Sequence, residues 1–166
     1  MELYRGELET AFGRMQLAVD AGGVLVETWL PGRAKRKDST DNPTPAAVEG
    51  LDAAKRQLEE YFDRKRRTFE LQFEPRGTAF ELEIWKRLCA TPYGRTVSYG
   101  TIAEELGLVN GARAVGRANG ANPIPIVIPC HRVIGSNGEL VGFGGGLPLK
   151  RALLELEGMP AQPRLF

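Results

Sequence analysis

From Ile124 to Ile134 the chain reads Ile-Pro-Ile-Val-Ile-Pro-Cys-His-Arg-Val-Ile. Proline fixes φ and carries no backbone N–H, so Pro123, Pro125 and Pro129 bar a helix through this run. The β-branched residues between them favour an extended, buried segment. Such a segment is expected to end by delivering Cys130, His131 and Arg132 in succession, with the sulfur at the base of a pocket. His131 is the chain's only histidine. In isolation, a cysteine beside a histidine reads more simply as a buried structural thiol next to a surface imidazole.

A chain of 166 residues, 42% of them hydrophobic, can build one medium domain or two small ones. Cys89 and Cys130 with a single histidine supply neither a four-ligand zinc set nor a disulfide framework, so no metal and no cofactor are expected. The segment Met-Glu-Leu-Tyr-Arg-Gly-Glu lacks the features of a signal peptide, and no apolar stretch reaches membrane-spanning length. A cytoplasmic protein without a membrane role is the expectation. Residues 1–75 hold 12 basic against 14 acidic side chains and residues 76–166 hold 10 against 7, net charges of −2 and +3. Between Leu106 and Gly138 there is no Asp or Glu, yet Arg113, Arg117 and Arg132 are present. The second half is therefore the candidate for contact with a polyanion.

Read in order, residues 2–30 alternate as strands, with Met15, Leu17 and Val19 before the turn Ala21-Gly22-Gly23 and Val24 and Val26 after it. Residues 31–45 form a polar loop whose Lys35-Arg36-Lys37 reads as a solvated cluster. Val48, Leu51, Leu58 and Phe62 then recur at helical spacing over 46–62. An extended piece over 69–78 carries the boundary, near Glu74. A helix follows that buries Phe80, Ile84, Trp85 and Leu88, with Cys89 beside it as a packed, inert thiol. Ser98 caps a helix burying Ile102 and Leu106, residues 107–111 turn, and a second helix runs toward Gly120. That helix is rich in Ala and Gly, with Arg113 and Arg117 one turn apart on one face. A glycine loop, Gly142–Gly146, precedes a last helix from about Pro148 that buries Leu149, Leu153 and Leu156. The expected fold is α+β: an N-terminal domain, 1–74, of a small antiparallel sheet with a covering helix, and a mostly helical C-terminal domain, 75–166, holding a helix-turn-helix.

Pro129-Cys130-His131-Arg132-Val133, preceded by Asn122-Pro123 and followed by Gly142-Phe143-Gly144-Gly145-Gly146, resembles the active-site motif of the O6-alkylguanine-DNA alkyltransferases, also called methylated-DNA:protein-cysteine methyltransferases. The resemblance runs from about Gly77 to Gly158. It implies stoichiometric, irreversible transfer of an alkyl group from O6-alkylguanine in double-stranded DNA, with O4-alkylthymine as a second candidate substrate, to Cys130. The target base is flipped out of the stack, and a monomer is expected. The same resemblance assigns roles. Glu157, His131 and a bridging water form a relay that activates Cys130, and Asn122 ties the cysteine segment to the helix-turn-helix. Arg113 matches an arginine finger that fills the vacated stack. Tyr99 matches the residue that crowds the 3′ phosphate and donates toward the leaving guanine. Ala114, Gly116 and Arg117 fall on the DNA-binding helix, which in this family enters the minor groove. Val133 matches the residue whose carbonyl reads the guanine amino group. Gly144 and Phe143 occupy positions where many relatives carry serine and tyrosine, so a role for those hydroxyls is excluded while backbone donation remains.

Two other readings stand beside this one. A non-repairing, alkyltransferase-like lesion-binding protein would lack the nucleophile, against which Cys130 weighs directly. A Cys-His hydrolase needs a direct pair, for which adjacent residues in extended backbone are poorly placed.

Overall fold

The computed structural model describes residues 2–33 and 40–159, which divide into two compact units, 1–76 and 77–166. Lys35-Arg36-Lys37 and the tail beyond Met159 lie outside the described residues. None of the described helices is long and apolar enough to cross a membrane.

In the first unit β1 (Tyr4–Thr10), β2 (Gly13–Val19) and β3 (Leu25–Trp29) form an antiparallel sheet in the order β1-β2-β3. The register places Leu8 opposite Met15 and Gly6 opposite Leu17. Period-two alternation puts Met15, Leu17 and Val19 inside. An irregularity at Ala18/Val19 pairs Val19 with Leu25, so Val24 falls outside the strand and the buried residues of β3 become Leu25, Val26 and Thr28. Helix α1 (Pro45–Phe62) starts where the Thr44 hydroxyl accepts from the Ala47 N–H, with proline in the first turn. Its buried stripe is Ala47, Leu51, Ala54, Leu58 and Tyr61. Val48, expected inside, is 44% exposed, and Phe62 is half-buried. The stripe that fits all five positions runs one residue earlier than the larger side chains suggest, because small alanines allow close approach to the sheet. Against the β2–β3 turn the helix comes closer still: a Cβ on Gly50 would stand 2.2 Å from the Gly23 carbonyl oxygen.

In the second unit α2 (Ala79–Cys89) opens with a capping box between Thr78 and Glu81 and buries Ile84, Trp85 and Leu88. Phe80 is only half-buried, and Cys89, expected to be packed, is exposed on the last turn. A two-residue strand β4 (Val97–Ser98) leads directly into α3 (Tyr99–Glu105), whose cap is the Ser98 hydroxyl on the Thr101 N–H. Ile102 and Ala103 are buried, and Leu106, the residue that ends the helix, is half-buried instead of core. Gly107 and Asn110 at positive φ make the turn into α4 (Ala112–Gly120). Within α4 the residues facing in are Val115, Ala118 and Asn119, and the Trp85 indole N–H donates to the Ala118 carbonyl at 2.8 Å. Strand β5 (Val133–Ile134) pairs parallel with β4, Val97 with Val133 and Ser98 with Ile134. Helix α5 (Leu147–Leu156) buries Lys150, Leu153 and Leu154, whereas Leu149 and Leu156 are half-buried. The inward stripe of α5 is thus 150, 153, 154 and 157, two of them charged.

The proline-rich run departs most from expectation. It is buried but not extended: the Ile128 N–H donates to the Ile124 carbonyl at 2.9 Å, and Ile126 takes a positive φ of 77°. Asn122 holds this turn from within, accepting from the Ile124 N–H at 2.9 Å and donating to the Ile128 carbonyl at 2.8 Å. Prolines remove the donors a strand ladder needs, and one asparagine side chain supplies the missing bonds. A β-branched residue at positive φ costs on the order of 1–3 kcal/mol. Complete burial of Ile124, Ile126 and Ile128 offsets it.

Candidate active site

Because the preceding run turns back on itself, Cys130, His131 and Arg132 enter a single 3₁₀ turn, closed by the Arg132 N–H on the Pro129 carbonyl at 3.1 Å. Three residues per turn send the three side chains in different directions. Cys130 keeps 5% exposure and His131 none. The extended geometry expected at this point is therefore replaced by a helical one, with the same consequence that thiol and imidazole diverge.

Glu157, at the end of α5, is the hub of the inner side. Its Oε2 lies 2.6 Å from His131 Nε2 and 3.0 Å from an Arg132 terminal nitrogen, and its Oε1 lies 2.8 Å from Arg132 Nε. The third arm of Arg132 donates to the Thr91 carbonyl at 2.8 Å. Burial alone would raise the Glu157 pKa, but hydrogen bonds and charge from His131 and Arg132 bring it down to about 2. Burial lowers the His131 pKa, Glu157 opposes this, and Arg132 and Lys150 add to the lowering. A carboxylate facing a neutral imidazole fixes the tautomer: Nε2 carries the proton and donates, which leaves Nδ1 as a bare acceptor. Nδ1 is buried with no hydrogen-bond partner among the described residues. The Glu157–His131 pair thus ends in an open basic nitrogen on the residue that follows the cysteine.

Burial raises the Cys130 pKa, while a hydrogen bond from Asn122, the charge of Lys150 and the backbone N–H groups of residues 130 and 131 work against it. At neutral pH the sulfur rests as a thiol, and reaction requires removal of its proton. Tyr99, half-buried at the start of α3, donates its hydroxyl to the Val141 carbonyl at 3.1 Å. Burial, then the charge of Cys130, raises its pKa.

Two further residues belong to this centre that sequence reasoning missed. Lys150 is fully buried, donates to the Val141 and Gly142 carbonyls at 3.0 and 3.3 Å, and lies 5.8 Å from the Tyr99 ring. Burial lowers its pKa to about 8, with Cys130 pulling the other way. A lysine three and seven residues before the inward-facing Leu153 and Glu157 is the pattern that could have found it. Asn119, on the inner face of α4, donates to the Cys130 carbonyl at 3.3 Å.

The remaining sequence candidates divide into two groups. His131 and Glu157 meet as a buried pair, buried Cys130 has the half-buried Asn122 beside it, and Tyr99 shares the Asn119 amide with the Cys130 carbonyl. Val133 is fully buried on β5, and Phe143 and Gly144 sit on the loop before α5, half-buried and exposed respectively. Arg113 and Arg117 project from the outer face of α4. Ala114 and Arg117 line a cleft of about 590 Å³ shared with Thr78, Phe80, Glu81, Ala118 and Ala121. Gly116 points elsewhere: a Cβ there would meet the Tyr99 ring at 3.8 Å.

Comparison with known proteins bears on the same region. The family described as 6-O-methylguanine DNA methyltransferase, DNA binding domain, matches residues 79–159. Methylated-DNA–protein-cysteine methyltransferase of Methanosarcina barkeri is 53% identical over 155 residues, covering 93% of this chain and 97% of its own. The Mycobacterium tuberculosis protein of that name is 47% identical over 145 residues, covering 86% and 83%. The crystal structure of Mycobacterium tuberculosis OGT in complex with DNA superposes with a TM-score of 0.83 at 42% identity, covering 95% of this chain and 96% of that one. The O6-methylguanine-DNA methyltransferase of Pyrococcus kodakaraensis, at 23% identity and a TM-score of 0.60, shares the fold. By fold and by sequence over most of its length, this chain belongs to the methylated-DNA–protein-cysteine methyltransferase family.

Proposed function

We propose that this protein repairs DNA by moving an alkyl group from the O6 atom of guanine in a duplex onto Cys130, once per molecule. The observation that carries this reading is a buried thiol followed, in the same 3₁₀ turn, by an imidazole whose Nε2 is held by an ionised Glu157 and whose Nδ1 is open. In the step itself a water takes the Sγ proton and passes one to His131 Nδ1. The sulfur electron pair forms the S–C bond as the C–O6 bond breaks, and the electrons of that bond leave on the guanine. Glu157 stabilises the imidazolium that results, and Lys150 places a positive charge toward the developing thiolate. The Tyr99 hydroxyl serves the leaving base as donor once released from Val141, and backbone N–H donation from Gly144 has the same role. The Val133 carbonyl reads the guanine amino group, and Phe143 borders the site.

The base reaches this pocket only by leaving the stack. Arg113, exposed at the start of α4, fills the gap, while Arg117 and the short Ala114 side chain let the helix lie against the sugar-phosphate wall of the minor groove. Gly116 lies on the side of the helix that faces Tyr99. The thioether product is a poor leaving group, which makes the reaction stoichiometric. The protein works as a monomer in a reducing, cytoplasmic compartment, where both thiols stay free.

The test is incubation with duplex carrying labelled O6-methylguanine, followed by intact mass and peptide mapping. One added methyl group on Cys130, with methyl recovered on protein never exceeding protein present, is expected. Tight lesion binding with an unmodified thiol would support the lesion-binding reading instead, and label on any other residue would remove the assignment of Cys130.

A further inference from the structure

Asn119 lies outside both the proton relay and the exposed arginine face of α4. It is 4% exposed and one turn after Val115, so it points inward from the helix that carries Arg113 and Arg117. Its amide nitrogen donates to the Cys130 carbonyl at 3.3 Å and reaches the Tyr99 hydroxyl oxygen at 3.5 Å. The NH₂ group carries two hydrogens, one for each acceptor, and both contacts are longer than the usual value of about 2.9–3.0 Å. The orientation follows from chemistry: a backbone carbonyl only accepts, so the NH₂ end must face Cys130 and the amide oxygen must face away. That oxygen is buried with no partner among the described residues. A leucine of similar volume would fill the place without stranding an acceptor. An amide is justified here by what its donor end holds.

We propose that Asn119 is a positioning residue for alkyl transfer, its NH₂ group tying the carbonyl of the nucleophilic cysteine and the hydroxyl of Tyr99 to the helix that docks on DNA. The Cys130 carbonyl also accepts from the Val133 N–H at the end of the 3₁₀ turn, so with Asn119 both of its lone pairs are engaged and the peptide that follows the nucleophile cannot tilt. Engagement of the Tyr99 oxygen fixes where the hydroxyl proton can point, toward Val141 in the free protein and toward a base that displaces it. The inference rests on the alkyl-transfer function above and adds to it a residue that touches neither DNA nor the reacting atoms.

The experiment compares wild type, Asn119→Leu and Asn119→Asp in single-turnover transfer from duplex O6-methylguanine and from free O6-benzylguanine, with lesion-duplex affinity and thermal midpoint measured alongside. Asn119→Leu is expected to slow transfer from both substrates at least tenfold while duplex affinity stays within about twofold. Asn119→Asp preserves shape but opposes a carboxylate to the Cys130 carbonyl. Its buried carboxyl, facing acceptors, titrates above the ordinary range and regains a donor when protonated. The ratio of its rate to wild type should therefore rise as pH falls from 8 to 5.5. A merely structural asparagine would leave that ratio flat. A flat ratio, or Asn119→Leu transferring at the wild-type rate, overturns the proposal. Should either variant fail to fold, the other decides, because each tests the donor separately. If wild-type Cys130 itself takes no alkyl group, it is the function that fails and not the role of Asn119.

Discussion

Replacing Glu157 by Gln tests the buried network at its centre. Glu157 is 4% exposed, and its pKa falls from the ordinary 4.5 to about 2 in the folded protein. Each tenfold change in ionisation corresponds to about 1.4 kcal/mol, so the ionised carboxylate stabilises the fold by roughly 3 kcal/mol at neutral pH. The sign follows from the direction of the shift: a carboxyl with a depressed folded pKa contributes fully above its unfolded value, and the contribution drains away as pH falls through 4.5 toward 2. By about pH 3 only some 1 kcal/mol should remain. Glutamine keeps the shape but leaves the Arg132 guanidinium buried without a counter-charge, which adds to the loss. For a chain of this size about 2–4 °C accompany each kcal/mol, so Glu157→Gln should lower the thermal midpoint by about 6–12 °C at neutral pH. The assay is a pair of melting or urea curves for wild type and variant at pH 7 and near pH 3. Transfer to Cys130 should slow by about a hundredfold, since His131 loses the group that fixes its tautomer. Equal stability at pH 7, or a difference that widens in acid, would refute the reasoning.

Other expectations are equally direct. Cys130→Ser should abolish transfer and leave lesion-duplex binding nearly intact, read by mass and by titration of labelled duplex; lost binding would make the thiol structural. Arg113→Ala should slow repair of duplex far more than reaction with free O6-benzylguanine, and equal losses would remove its role in the stack. Lys150 has its pKa lowered from 10.5 to about 8, so the unfolded chain holds its proton more tightly and wild-type stability should rise with pH between those values. Lys150→Met should lack that rise in urea titrations at pH 7.5 and 10, and should transfer at least tenfold more slowly; an unchanged pH dependence would assign the rise to other groups.

Much of this was legible in the amino-acid order because single residues left little choice. Ser98 caps a helix where a side-chain acceptor precedes a helical stripe, and the match to the family's motifs points to His131 and Glu157, which lie 2.6 Å apart. What was not legible depended on contacts that periodicity does not encode. Hydrophobic size pointed to Val48, but the sheet is met through Ala47 because small residues come closer. Proline and β-branching pointed to an extended run; the two hydrogen bonds of Asn122 closed it into a turn instead. Lys150 was passed over because lysines are ordinarily solvated, and only the Val141 and Gly142 carbonyls make its burial tolerable. Cys89 went the other way, a thiol assigned to the core that sits on the last, solvent-facing turn of α2.

The Trp85 indole, bonded to the Ala118 carbonyl, clamps α4 from behind, and the burial of Val115 and Asn119 removes its freedom to roll. Under the proposed function, a helix fastened on this side leaves the distortion of an encounter to the nucleic acid, so weakly stacked steps should surrender their bases first.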